Sequence, residues 1–548
     1  MKLERLPEYI LSIVITLIAV VVALVLGGKA GAGLFQIPAA VLCAFFALLI
    51  VLTFRTRLWL LIPIFWPVPG KLVVLPVPFA VRELVILFIF ALFLVFKSLK
   101  MVRRKPEFKL IDCVLFANLA YVAVTFLRNP VGVDAFGSER VGGYPYASAL
   151  IAYFGYWVLA RADLGTYSAQ RLPIFFSLTQ SIEAVIGTVC TVFPASVSVV
   201  SRIYSGIALG NDNTPDALVS ANTEEGGRLV FLGPTGRIMS LALCSFFRPL
   251  TLINPLYFFR FITFITAISL ILLSGFRSAI FLSALMFAVA SILRGKTMDV
   301  LKVGIIVAPM IAILVLFAGT SIKLPMAAQR ALSFLPGNWS ATAKEDARGS
   351  TEWRVEMWKV LWSDRHYLQN RWLGDGFGFT KVQFREMIDA KMIRDARAGQ
   401  ENMLIAGQVH SGPFSAIKYV GVVGLAFFLL LLLISAREAK HLIKKALGTP
   451  FSAVAMFFGI PIIVEPFFYV FIFGGYDCAL PEAIFRIGML KVISAGLAKY
   501  RQQETDQDEI SNASLSEPRS LPSLTKAKML HQSNWLQKGA NERIYNRP

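Results

Sequence analysis

Runs of apolar residues, each about the length of a membrane crossing, alternate along this chain with polar connections. Crossing the hydrocarbon core as a helix takes roughly 20 apolar residues. Such runs fall at 11–26, 38–54, 58–80, 84–96, 110–127, 146–160, 173–193, 237–253, 256–274, 277–293, 303–320, 413–434, 450–474 and 480–497. Several are short or broken by proline. The third holds Pro63, Pro67, Pro69, Pro76 and Pro78, the pattern of a re-entrant or kinked segment. The pattern predicts an all-α polytopic membrane protein of about 12–14 transmembrane helices. The first run, Leu11 to Leu26 behind Lys2 and Arg5, has features of a signal peptide. The hydrophobic runs that follow at once make it the first span of a polytopic chain instead.

The polar positions give an orientation. Lys and Arg collect in cytoplasmic connections. Alternation from a cytoplasmic N-terminus puts Arg55 and Arg57, Lys97 to Lys105, Arg161 and Arg171, Arg294 to Lys302, and Arg437 to Lys445 all inside. The C-terminus then lies inside too, and the polar tail from about Lys499 is expected to be disordered. Three sizeable connections fall outside, at 128–145, 194–236 and 321–411. The last is far longer than an ordinary connection and is expected to be functional. Four regions are expected: spans at 1–227, a core at 228–434 whose bounds follow a resemblance of its motifs to a known family and which contains the loop 321–411, further spans at 435–498, and the tail at 499–548.

Composition narrows the classes. The chain is 56% apolar and 16% charged, with a mean hydropathy of +0.64. Soluble domains run at about 45–50% and about 25%. A soluble enzyme, a disulfide-rich secreted domain and a disordered protein are excluded. The net charge of +20 fits cytoplasmic loops and anionic headgroups, not nucleic acid. Cys43, Cys113, Cys190, Cys244 and Cys478 all lie in apolar stretches and show no metal-ligand spacing. No disulfide framework, zinc site or cofactor is expected.

Candidate chemistry sits at the outer edge of the core. A helix is expected over Glu352 to Trp362, with Trp353, Met357, Trp358, Leu361 and Trp362 on one broad face and Ser350 or Thr351 as N-cap. Arg354 shares that face, where it is either a phosphate ligand or half of a structural ion pair. A second helix is expected from about Lys381 to Ala398. Arg277, in Ser274-Gly-Phe-Arg-Ser278, stands between two apolar runs. It is either a snorkelling arginine or a clamp whose planar fork matches phosphate oxygens. The same alternatives apply to Arg228 and Arg237, which bracket Gly233-Pro-Thr-Gly236. Gly374-Asp-Gly376-Phe-Gly378 is either a glycine-rich phosphate loop or a tight turn returning the outer loop to the membrane. Glu183 and Glu465 lie within spans and are read as helix–helix hydrogen-bonding groups.

Among the four histidines, His410 stands before Ser411-Gly-Pro413 and the run from Phe414. Ser411 suits an N-cap and Pro413 the first turn. The positive end of a helix favours neutral imidazole, the form a general base requires. The alternative is an inert loop histidine. His366 lies mid-loop, His441 in a basic cluster and His531 in the tail. Asp506-Gln-Asp508, in the charged tail, is read as a solvated run and not as a metal motif.

Together these stretches resemble the O-antigen ligase and O-antigen polymerase-like superfamily of bacterial envelope glycosyltransferases. The matching order is Arg228 to Phe247, Ser274 to Ser278, Arg354 with Trp358, Gly374 to Gly378, and His410 to Gly424 with its Gly421-Val-Val-Gly424 end. Ser411 stands where the family usually has Asn. The resemblance implies a C-type glycosyltransferase architecture with a large helical periplasmic loop. It implies transfer of a glycan from an undecaprenyl-diphosphate carrier to an acceptor hydroxyl, on glycan, lipid A core or protein, without a metal. It implies His410 as the base, and Arg228, Arg237, Arg277 and Arg354 with Gly374, Gly376 and Gly378 as substrate-binding residues. Rival readings are a transporter or flippase for lipid-linked glycans, which needs no general base, and a non-catalytic scaffold of an envelope-polysaccharide complex.

Overall fold

The computed structural model describes Phe45, Val51, Arg385 and residues 55–75, 77–100, 104–130, 142–206, 229–317, 324–378 and 396–516. The first apolar run, most of the second, Arg228, nearly all of the helix expected over 381–398, and the last part of the tail lie outside the described residues.

The described residues form eighteen helical segments, so the chain is an all-α polytopic membrane protein. The principal helices are α1 (Val81–Ser98), α2 (Leu110–Arg128), α3 (Tyr144–Leu159), α4 (Thr166–Val192), α5 (Leu232–Phe246), α6 (Phe258–Leu273), α7 (Arg277–Leu293), α8 (Thr297–Phe317), α9 (Ala341–Ser363), α10 (Gly412–Ala446), α11 (Ser452–Phe471) and α12 (Tyr476–Ser516). Five of them, α2, α4, α8, α10 and α11, are long and apolar enough to cross a membrane. The proline-rich third run is no single span. It forms helical turns over Arg55–Leu60 and Leu61–Phe65, followed by turns and an isolated bridge between Lys71 and Ala80.

Two buried acids start their own helices. Glu83 accepts from the Ala80 amide at 3.0 Å, and Asp112 from the Lys109 amide at 2.6 Å. Each satisfies an amide that a helix start leaves orphaned. Asp112 also accepts from Tyr156 and pairs with Lys491, which donates to the Glu107 carbonyl as well. Arg104 donates to the Ala162 carbonyl, Arg294 to those of Cys244 and Ser245, and Arg248 forks onto Asp299. These ties hold the connection before α2 to the end of α3, and the end of α7 and the start of α8 to the end of α5.

Helices α5 and α6 meet through glycine. A Cβ on Gly236 would lie 2.6 Å from the Ala267 carbonyl, and one on Gly233 3.0 Å from Ser274. Small residues let membrane helices approach this closely. Gly233-Pro-Thr-Gly236 is therefore a packing element, with the Thr235 hydroxyl tied to the Gln180 carbonyl of α4.

The contacts divide the chain into two compact units, Met1–Gly496 and Leu497–Pro548. The described part of the second is helical as far as Ser516, where a disordered tail was expected. Gln, Lys, Arg and Glu supply seven of the eleven residues 499–509, and all four favour helix.

Candidate functional site

The run expected to span from Phe414 to Ile434 is not one helix. Gly421 breaks α10 with φ 70° and ψ −179°. Tyr469 shows how sharp the break is. Its hydroxyl donates to the Gly412 carbonyl at 2.8 Å, while its ring lies 5.1 Å from Phe428. A straight helix would hold those residues about 24 Å apart, further than one tyrosine bridges. Residues 412–420 thus form a short arm folded back from the spanning arm 422–446.

A break leaves carbonyls orphaned on one arm and amides on the other. A single strip, 371–376, satisfies both. The Val422 and Val423 amides donate to the Arg371 and Trp372 carbonyls at 2.9 and 3.2 Å, and the Asp375 and Gly376 amides donate to Lys418 and Tyr419 at 2.9 and 2.8 Å. Gly374 and Gly376 have φ of 75° and 78°, a region glycine adopts without strain. A Cβ on Gly374 would sit 2.5 Å from the backbone of 419–421. The glycine turn is thereby built into the elbow, and Gly378 ends its described part. Phe377 wedges between Tyr146 and Tyr419, at ring distances of 4.8 and 4.5 Å.

His410 leads into the short arm. Its backbone is left-handed, with φ 53°, uncommon for any side-chain-bearing residue. Strain of this kind persists where surroundings over-determine it and clusters at functional sites. The surroundings do so here. The Trp358 indole donates to the Val409 carbonyl at 2.8 Å, Tyr469 holds Gly412, and the Tyr419 hydroxyl donates to Ala406. The half-buried imidazole lies between Trp353 and Phe473, at ring distances of 5.6 and 5.4 Å. Ser411 is the N-cap residue but makes no side-chain capping bond.

The long connection 321–411 reaches this site through α9, which starts earlier than expected. Ser340 is the N-cap and accepts from the Ala343 amide at 3.2 Å, so neither Ser350 nor Thr351 caps the helix. Residues 341–352 are mostly good helix formers, which extends it backwards. Met357 and Leu361 are buried against Leu368, Leu404, Val409 and Ile417, whereas Trp362 is exposed. Arg354, next to Trp353, is partly buried.

The arginines separate. Arg277 is the first residue of α7. Phe281 and Phe467 pair at 6.2 Å between α7 and α11. Arg277 lies one turn before Phe281, and Phe471 one turn after Phe467 and two residues before the Phe473 that covers His410. Arg237 lies further into the bundle, where its charge acts on Arg486, Glu465 and Glu482. Arg486 pairs with Glu465 at 2.7 Å and with Glu482 at 2.8 Å, and the Trp66 indole also donates to Glu482. The structure therefore sets Arg237 in a charge network between helices and Arg277 at the first turn of α7.

Sequence reasoning missed two members of the elbow. Lys418 and Asp375 form an ion pair at 3.0 Å, with side chains only 4% and 10% exposed. The signal was available: Lys418 interrupts the apolar run Ala416-Ile-Lys-Tyr-Val420, and charges inside such runs are expensive.

No curated protein matches the chain. The model of the O-antigen ligase family, Wzy_C, matches residues 262–429, a stretch that holds α7, α9, the glycine turn, His410 and both sides of the break. By that match, residues 262–429 are similar to the O-antigen ligase family, the superfamily that the chain's motifs resemble.

Proposed function

We propose that the protein transfers a glycan from an undecaprenyl-diphosphate carrier to an acceptor hydroxyl at the periplasmic face of the inner membrane, with both termini cytoplasmic. The reaction is that of an O-antigen ligase or a polysaccharide polymerase, and the acceptor is a glycan, lipid A core or protein hydroxyl. The family match supports glycosyl transfer in general. The observation that carries the mechanism is the strained, clamped backbone of His410 between two aromatic rings.

His410 takes the proton of the acceptor hydroxyl as its oxygen attacks the anomeric carbon. The bond from that carbon to the diphosphate breaks, and its electron pair stays on the diphosphate oxygen. Arg277, with Arg228 and Arg354, stabilises that charge, which develops in the transition state. Arginines supply the positive charge, so no metal enters the scheme. The glycine turn serves indirectly, by completing the elbow.

His410→Ala tests this reading. As general base, His410 contributes roughly 10²–10⁴-fold in rate. The variant is expected to accumulate normally and bind lipid-linked donor, yet lose transfer. His366 is the control: it is exposed, in the turn after α9, with its amide held by Asp364. Near wild-type transfer by His410→Ala, or a dead His366→Ala, overturns the assignment.

A further inference from the structure

The buried pair at the elbow has no role in the chemistry just described, and both partners are shielded from any substrate. The Asp375 carboxylate accepts from the amides of Gln369 and Asn370 at 3.0 and 2.9 Å and from Lys418 at 3.0 Å. Lys418 donates in addition to the Tyr367 carbonyl. Its neighbour Tyr419 holds Ala406, four residues before His410. Adjacent residues of the short arm thus grip the glycine turn on one side and the chain entering His410 on the other. A buried ion pair is weak as a stabiliser, since an apolar pair of similar volume does as well or better. It is strong as a register device, because a one-residue slip of the strip would strand both charges.

We infer that Lys418 and Asp375 are positioning residues for the transfer reaction: their pair sets the short arm against strip 371–376 and thereby aims the imidazole of His410. The inference rests on the reading of His410 as the base.

The test uses Asp375→Asn, Lys418→Met, the double variant and Lys418→Arg in the full-length protein. Each neutralising single change leaves one buried charge uncompensated and is expected to reduce abundance. The double variant removes both charges and is expected to recover abundance and keep the KM for lipid-linked donor, with kcat lowered about 10–100-fold. Lys418→Arg keeps the charge but changes donor geometry. It is expected to accumulate with unchanged KM and a kcat several-fold lower, and so serves if the double variant does not fold. A second readout needs no turnover. A His410→Cys thiol should react with a small maleimide at a different rate when Lys418 is Arg. Wild-type kcat in Lys418→Arg, or an unchanged labelling rate, overturns the inference. An active His410→Ala instead overturns the base reading. A dead His410→Ala with wild-type kcat in Lys418→Arg removes this inference alone.

Discussion

The Trp358 indole and the Val409 carbonyl, 2.8 Å apart, join the outer-loop helix to the residue before His410. The same indole stacks on Phe414, 5.6 Å away and tilted by 14°. One side chain thus carries a packing role and an aiming role, and two substitutions separate them. Trp358→Phe keeps a ring against Phe414 and leaves the Val409 carbonyl without its donor, a loss of about 1 kcal/mol. It is expected to accumulate near wild-type levels and transfer glycan several-fold more slowly. Trp358→Ala also empties the cluster around Leu361 and Val409, at a cost of about 3–5 kcal/mol, and is expected to lower abundance. Equal transfer per molecule in Trp358→Phe and wild type would show that the bond does not aim His410.

The elbow predicts a hierarchy among glycines. Gly374 and Gly421 combine positive φ with close backbone: a Cβ would come within 2.5 and 2.2 Å of its neighbours. Gly295 and Gly448 share the conformation, with φ of 69° and 78°, but have nothing within 4 Å. Alanine at the open positions meets only left-handed strain, roughly 1–2 kcal/mol, and should accumulate. Alanine at Gly374 or Gly421 must push strip and helix apart, and folded protein should fall severely. Comparable abundance of all four variants in detergent extracts would contradict the elbow.

Arg486 predicts a different failure. It neutralises Glu465 and Glu482 inside the helix bundle. Arg486→Leu leaves two half-buried carboxylates with only Arg237 and the Trp66 indole beside them, at a cost below the about 3–5 kcal/mol of breaking a fully buried pair. Folded protein is expected to drop. Adding Glu465→Gln leaves Glu482 to balance Arg237, the other cation of the network, and should restore it. A double variant no more abundant than Arg486→Leu would mean that the network is not what holds these helices.

The helices that carry this site were legible because hydropathy reports burial in lipid, and α2, α4, α6, α7 and α11 fall where the apolar runs predict. His410 and Arg277 drew notice as candidates because polar groups at the ends of apolar runs are conspicuous. The break at Gly421 was not. Its two arms are both apolar, and the partner that satisfies their orphaned groups lies some fifty positions upstream, in a strip whose glycines also read as a phosphate loop. Periodicity records which face is buried, not which backbone bonds are exchanged. The early start of α9 escaped for a related reason: Ala341 to Arg348 carries no apolar stripe, and only its helix-forming residues and the Ser340 cap mark it.

Arg277 and Arg237 were indistinguishable in the sequence, and their settings now predict opposite phenotypes. Arg277 begins α7, one turn before the Phe281 that packs on α11, and in the proposed reaction it holds the lipid-linked diphosphate. Lysine there keeps the charge but loses the planar fork that matches two phosphate oxygens. Arg277→Lys is therefore expected to reach wild-type abundance and lose at least tenfold in transfer, and Arg277→Ala to lose more. Arg237 stands among Arg486, Glu465 and Glu482. Removing its charge unbalances that network, so Arg237→Gln is expected to lower abundance while the molecules that fold retain transfer. The measurement is transfer per folded molecule, with membrane abundance quantified in parallel. Full transfer by Arg277→Ala at wild-type abundance would move the diphosphate clamp to another residue. A normally abundant but inactive Arg237→Gln would make Arg237 that residue.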